Sequence, residues 1–109
     1  MPFPRRSEMQ SKMIHNAEDL QYEIWADGEL AGYTRYHPYN DALAFIHTEV
    51  DERFEGQGLG STLVRAALDE VRSGDESVLP FCPFVREFIG KHREYAELVP
   101  TQDRDSFGL

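Results

Sequence analysis

The sequence predicts an α+β fold, a mostly antiparallel sheet followed by two main helices. Three observations carry this. Alternating apolar residues and turn signals fill residues 20–50. An apolar stripe then recurs every four residues at Leu59, Leu63, Ala67 and Val71. Between the two lies "FEGQGLGST", Phe54 to Thr62, with Gly56, Gly58 and Gly60 directly before the helix.

The elements follow in order. Residues 1–12, with Pro2, Pro4 and mixed charges, read as a flexible tail. "LQYEIWA" alternates, placing Leu20, Tyr22, Ile24 and Ala26 on one face. Asp27–Gly28 is a hairpin signal. "ELAGYTRYH" is the return strand, expected to stop at Pro38. After the "YND" turn, "ALAFIHTEV" (Ala42–Val50) is a third strand, apolar at its start as a central strand would be. The helix after the glycines is expected to reach about Arg72, with Ser73–Gly74 ending it. "SVLPF" is a fourth strand. "PFVREFIGKH" is a second helix with Phe84, Val85, Phe88 and Ile89 inward. Residues 13–99 form the expected domain and 100–109 a C-terminal tail.

Composition bounds the function. The 109 residues suit one domain with one modest core. The net charge is −9, and 19 of the 20 acids lie after residue 12. Such a body repels phosphate backbones, which argues against nucleic acid, and attracts basic substrates. The same acidity also serves plain solubility. A single cysteine, Cys82, excludes a disulfide within the chain and suits a cytoplasmic setting. No apolar run is long enough to span a membrane, and the first residues lack a signal peptide's apolar region.

Three stretches carry candidate chemistry. At the glycine turn, backbone N–H groups converge without side chains in the way, and the helix dipole favours an anion. A phosphate or pyrophosphate fits there, although a tight strand-to-helix connection without ligand would use the same glycines. Neither a Walker loop nor a dinucleotide fingerprint matches the spacing. In "LPFCPFVREF", Cys82 precedes Pro83, a residue preferred at the first helical position. The thiol is thereby expected at a helix N-cap, facing the positive end of the dipole. The alternative is a buried small hydrophobe. In "FIHTEV", His47 and Glu49 point to one side of the strand, where either could take a proton from an amine, or simply form a solvated face. His15, His37 and His92 show no metal-ligand spacing, so no metal is assigned. Lys91, near the end of the second helix, is a candidate partner for a ligand phosphate.

Taken together, "HTEV", "GQGLGSTLVRAALDEVR", "LPFCPFVREFI" and "HREYAELV" resemble small single-domain members of the GCN5-related N-acetyltransferase (GNAT) superfamily of the minimal, cysteine-containing type. The resemblance covers about Leu20 to Val99. It implies a truncated GNAT fold, three-layer-like, with an antiparallel meander, a helix, a further strand and a closing helix. It implies acetyl-CoA as cosubstrate, held through Val50, Gly56, Gln57, Gly58, Leu59, Gly60 and Ser61, with Lys91 beside them. The superfamily motif Q/R-x-x-G-x-G/A falls on Glu55, Gly58 and Gly60. Glu55 departs from it and brings a negative side chain to the anion site. Arg93 stands where the family often has proline.

The resemblance implies acetyl transfer to an amine, a small molecule or a protein lysine. His47 or Glu49 would be the base. Cys82 would be the acid for the leaving thiolate, or would carry the acetyl group itself. Tyr95 is a further candidate acid by analogy with larger relatives. Extra N-terminal helices, which build the acceptor pocket in those relatives, have little room here. The competing expectation is a degenerate domain that binds CoA or a partner protein without turnover. A monomer or weak dimer is expected.

Overall fold

The computed structural model describes residues 10–109. The chain runs β1 (Ser11–Asn16), β2 (Gln21–Ala26), β3 (Glu29–Tyr39), β4 (Ala42–Val50), α1 (Leu59–Ser73), β5 (Ser77–Pro80) and α2 (Pro83–Lys91). Short 3-10 turns follow at Arg93–Leu98, Thr101–Asp103 and Asp105–Phe107. The sheet order is β1-β2-β3-β4-β5. Neighbours are antiparallel except β4 and β5, which α1 joins in parallel.

Local chemistry sets the turns. Asp27 (φ 50°) and Gly28 (φ 85°) are both left-handed, the geometry of a two-residue hairpin between β2 and β3. Asn40 (φ 54°), a residue that tolerates this region, turns β3 into β4 with Asp41. β3 does not stop at Pro38. That residue pairs with Leu43 of β4. β2 begins at Gln21 opposite Arg35, so no strand needs an N–H from Pro38 on that side.

One face of the sheet and one face of each helix share a single core. Ile24, Tyr36, Phe45, Leu63, Leu68, Val85 and Ile89 all belong to it. The amphipathic stripe of α1 is buried as its spacing predicts, from Leu59 through Val71. Of the four residues expected inward on α2, Val85, Phe88 and Ile89 are buried; Phe84 is 39% exposed. It lies instead over the start of α1.

Both expected boundaries fall in or beside ordered elements. The N-terminal boundary at residue 12 falls inside β1, which pairs with β2 from Ser11 to Asn16. Residues before position 10 lie outside the described part. At the other end, residues 101–107 form 3-10 turns, and Phe107 meets Phe81 edge-on at 5.2 Å.

Two irregularities position the site. The β4–β5 ladder has only four rungs and ends at Phe45↔Pro80. Beyond it the strands part. On the other side of β4 the register with β3 shifts between Arg35 and Tyr36: Tyr36 faces Phe45, and Arg35 faces His47. Ile46 is the extra residue of a bulge. The bulge keeps Thr48 and Val50 on the helix-covered face with Phe45. Ile46, His47 and Glu49 are left on the open face.

Candidate active site

The glycines have two different structural reasons. Gly56 (φ +79°) and Gly58 (φ +74°) are left-handed, a conformation costly for other residues. Gly60 has ordinary helical backbone, but a Cβ there would lie 2.7 Å from Phe84 Cζ and 3.3 Å from Val50 Cγ2. It is needed for close packing of α1 against α2 and β4.

Gly58 is the N-cap of α1, and its carbonyl accepts the first helical bond, from Thr62. No side chain caps the helix. Among the described residues, no hydrogen bond uses the N–H groups of Gly58, Leu59, Gly60 or Ser61. These are the donors a helix start leaves for a ligand or water. They border a cleft of about 410 Å³ whose walls include Val50, Gly56, Gly58, Leu59, Gly60 and Ser61. Gln57 belongs to the turn but not to the walls. Thr48 and Phe84 line the cleft and were not legible as site residues. The bulge that aims Thr48 inward has no sequence signal. Phe84 reads as core by helical spacing.

An anion fits the donors of this cleft. Its side chains are less favourable. Glu55 lines it, and Arg53, the nearest base in sequence, is turned away. Arg53 is held by Asp51 at 3.1 Å and Glu29 at 3.1 Å. Hydrogen bonds from the Arg53 side chain and N–H keep the Asp51 carboxyl below its ordinary value. Lys91 sits at the last turn of α2, and neither this cleft nor the groove beside it at Arg65 and His92 includes it.

Cys82 is the N-cap of α2, with Pro83 at the first helical position. It is 3% exposed. Its N–H donates to the Phe45 carbonyl at 2.8 Å, across the point where β4 and β5 part. Its thiol donates to Thr48 Oγ1 at 3.3 Å, and Thr48 Oγ1 lies 2.8 Å from the Thr34 hydroxyl, which is fully buried. The thiol is thus joined through Thr48 to the wall of the glycine cleft.

The structure does not bring the other candidates to this point. His47 and Glu49 are neighbours, with Nε2 3.9 Å from Oε1, but both lie on the open face of β4. Glu49 accepts from the Tyr33 hydroxyl there at 3.1 Å. Tyr95 is 3% exposed and packs far along α1, donating to Asp69 at 2.7 Å and accepting from Arg65 at 3.2 Å. Asp69 is roughly 15 Å from Leu59 along the axis, at about 1.5 Å per residue. Burial, and then the bond to Asp69, push the Tyr95 hydroxyl up.

The sequence has relatives among known proteins. The chain is 24% identical over 100 residues to the ATP-dependent RNA helicase DDX42 of Gallus gallus, and 23% identical to that of Homo sapiens. Each match covers 90% of this chain, which spans only 11% of the length of those relatives. A solved structure of Ard1 from Thermoplasma volcanium is similar at 27% identity with a TM-score of 0.49, covering 56% of this chain and 43% of that one. Residues 21–98, from the start of β2 to the end of the turn after α2, match the family described as GCN5-related N-acetyl-transferase. A match over that much of the sequence establishes kinship, and the chain belongs to the GCN5-related N-acetyl-transferase family.

Proposed function

We propose that this domain transfers an acetyl group from acetyl-CoA to an amine. The observation that carries the reading is the row of unpaired N–H groups from Gly58 to Ser61, opening on a cleft that reaches Thr48 and, through it, Cys82. Those donors suit the pyrophosphate, with Val50, Gly56 and Gln57 beside them. In the reaction the amine nitrogen, having lost a proton, attacks the thioester carbonyl. The C–S bond breaks, and the departing thiolate takes up a proton. Cys82 is the proposed acid for that thiolate, or the residue that first accepts the acetyl group. His47 or Glu49, directly or through water, is the proposed base on the acceptor side. Tyr95 and Lys91 are left out, because neither borders the cleft. A cytoplasmic monomer or weak dimer completes the proposal.

A second reading is supported by one observation: His47 and Glu49 open on the face of β4 opposite Thr48 and Cys82. A domain with no base in its cleft would bind CoA without turnover. Calorimetric titration with acetyl-CoA, followed by a thiol-release assay with a panel of amines, separates the two. Binding with thiol release supports transfer. Binding alone supports the second reading. Absence of binding overturns both.

A further inference from the structure

Six large hydrophobic side chains are exposed among the described residues, and three of them line one groove: Tyr39, Ile46 and Phe81, at 62, 49 and 55%. Clustered exposure of this kind marks a binding site more often than scattered single residues do. The groove, about 640 Å³, lies on the open face of the sheet, beneath the C-terminal turns that carry Asp103 and Phe107. That volume is in the range of small-molecule sites. Its position is set by the sheet. Ile46 is the bulge residue just past the last β4–β5 rung at Phe45, and Phe81 immediately precedes Cys82. The groove therefore opens where β4 and β5 part, on the face opposite the glycine cleft.

Its polar groups are few. Asp103 is half-buried at the wall, and its carboxylate has no ion pair or hydrogen bond among the described residues. His37 and Ser106 are the remaining polar side chains apart from the Tyr39 hydroxyl. An apolar trough with one unpaired carboxylate, on a body of net charge −9, selects a cation with an apolar body.

We propose that this groove is the acceptor site and that the acceptor is an amine bearing an aromatic or branched aliphatic body, an inference that rests on the acetyl-transfer reading above. The apolar body lies against Ile46, Phe81 and Phe107, and Asp103 attracts the ammonium. The ammonium then gives a proton to His47 or Glu49 on the same face, and the freed nitrogen attacks the thioester carbonyl through the gap between β4 and β5 as CoA departs as the thiolate. A free carboxylate or a short alkylamine lacks one of the two recognised parts.

The test uses the whole chain, nitrogen-15 amide spectra and three probes: 2-phenylethylamine, 3-phenylpropionate and ethylamine. Phenylethylamine is expected to shift the amides of Ile46, Phe81 and Phe107. The other two should leave them in place at the same concentration. Asp103→Asn should weaken phenylethylamine binding at least fivefold and raise its KM with little change in kcat. Phe81→Ser should weaken it similarly. Equal shifts from phenylpropionate or ethylamine, shifts confined elsewhere, or an unaltered Asp103→Asn would overturn the proposal. So would groove shifts that depend on protein concentration without ligand, which would assign the groove to a second copy of the chain. Phenylethylamine binding in the groove with no acetyl-CoA binding would sink acetyl transfer and with it the acceptor role, leaving an amine site; acetyl-CoA turnover that ignores Asp103 and Phe81 would sink the groove alone.

Discussion

Cys82 and Thr48 form a pair whose two halves are separable. Removing the thiol with Cys82→Ala should leave CoA affinity within about twofold and reduce turnover far more, because the loss falls on the reaction step. Full turnover in Cys82→Ala would make the residue one of packing only. Thr48→Val removes the acceptor of the buried thiol and the partner of Thr34 together. Thermal or urea denaturation should show a loss of about 1–2 kcal/mol, the usual consequence of orphaned buried polar groups. A second residue carries a pH signature. Glu23 is 7% exposed and accepts hydrogen bonds from Asn16, Gln21 and Trp25. Burial alone would raise its carboxyl, but the three donors together outweigh burial and hold it below the ordinary value. The ionised form is therefore favoured by folding. Its contribution is present above the unfolded pKa of about 4.3 and is lost as pH falls through the lower folded value. Glu23→Gln should cost about 1–3 kcal/mol at pH 7, and the gap from the parent should narrow as pH falls below the ordinary carboxylate range. A gap that does not depend on pH would assign Glu23 a steric role.

At the scale of elements, the glycine turn makes opposite demands at two positions, and substitution distinguishes them. Gly58→Ala places a side chain in open space but at φ +74°. The cost should be about 1–2 kcal/mol whatever stands at position 84. Gly60→Ala meets the ring of Phe84, so it should destabilise the parent. In a Phe84→Ala background the penalty should shrink, because alanine exceeds glycine in a helix by about 1 kcal/mol and only the 3.3 Å approach to Val50 Cγ2 remains to oppose it. Denaturation of the four proteins closes the cycle, and additivity would rule out the Phe84 clash. This contrast also shows what a sequence can convey. Strand β4 and helix α1 were legible because their apolar periods are strong and their ends carry turn or glycine signals. β1 was not, because "SKMIHN" buries none of its residues fully and so has no alternation to read. Pro38 misled because its ladder position, beyond the start of β2, depends on another strand's length. In the site, the glycine turn and the N-cap of Cys82 are written locally. The face of β4 on which His47 and Glu49 stand is not, because the bulge at Ile46 reverses the alternation without changing any residue type.

For the whole molecule, charge and size together fix how ligands should arrive. The body measures 56 × 29 × 24 Å and carries a net charge of −9. At 0.01 M salt the screening length is about 30 Å, so nearly every charge is felt at either mouth of the β4–β5 gap; at 0.15 M it is about 8 Å, and only local groups count. Acetyl-CoA is a polyanion, and its proposed cleft offers backbone dipoles rather than free cations, with Glu55 at the wall. Added salt should therefore remove long-range repulsion and speed its association. An ammonium approaching Asp103 meets the opposite field, and salt should slow it. Stopped-flow association rates between 0.01 and 0.15 M salt should thus slope upward for acetyl-CoA and downward for phenylethylamine, with dissociation rates changing less. Lys91→Ala, at a residue that borders neither site, adds one negative unit to a net charge of −9 and should steepen both slopes only slightly. Association of acetyl-CoA that slows with salt, and slows less in Lys91→Ala, would mean that Lys91 reaches the cofactor after all and that local attraction outweighs the acidity of the body.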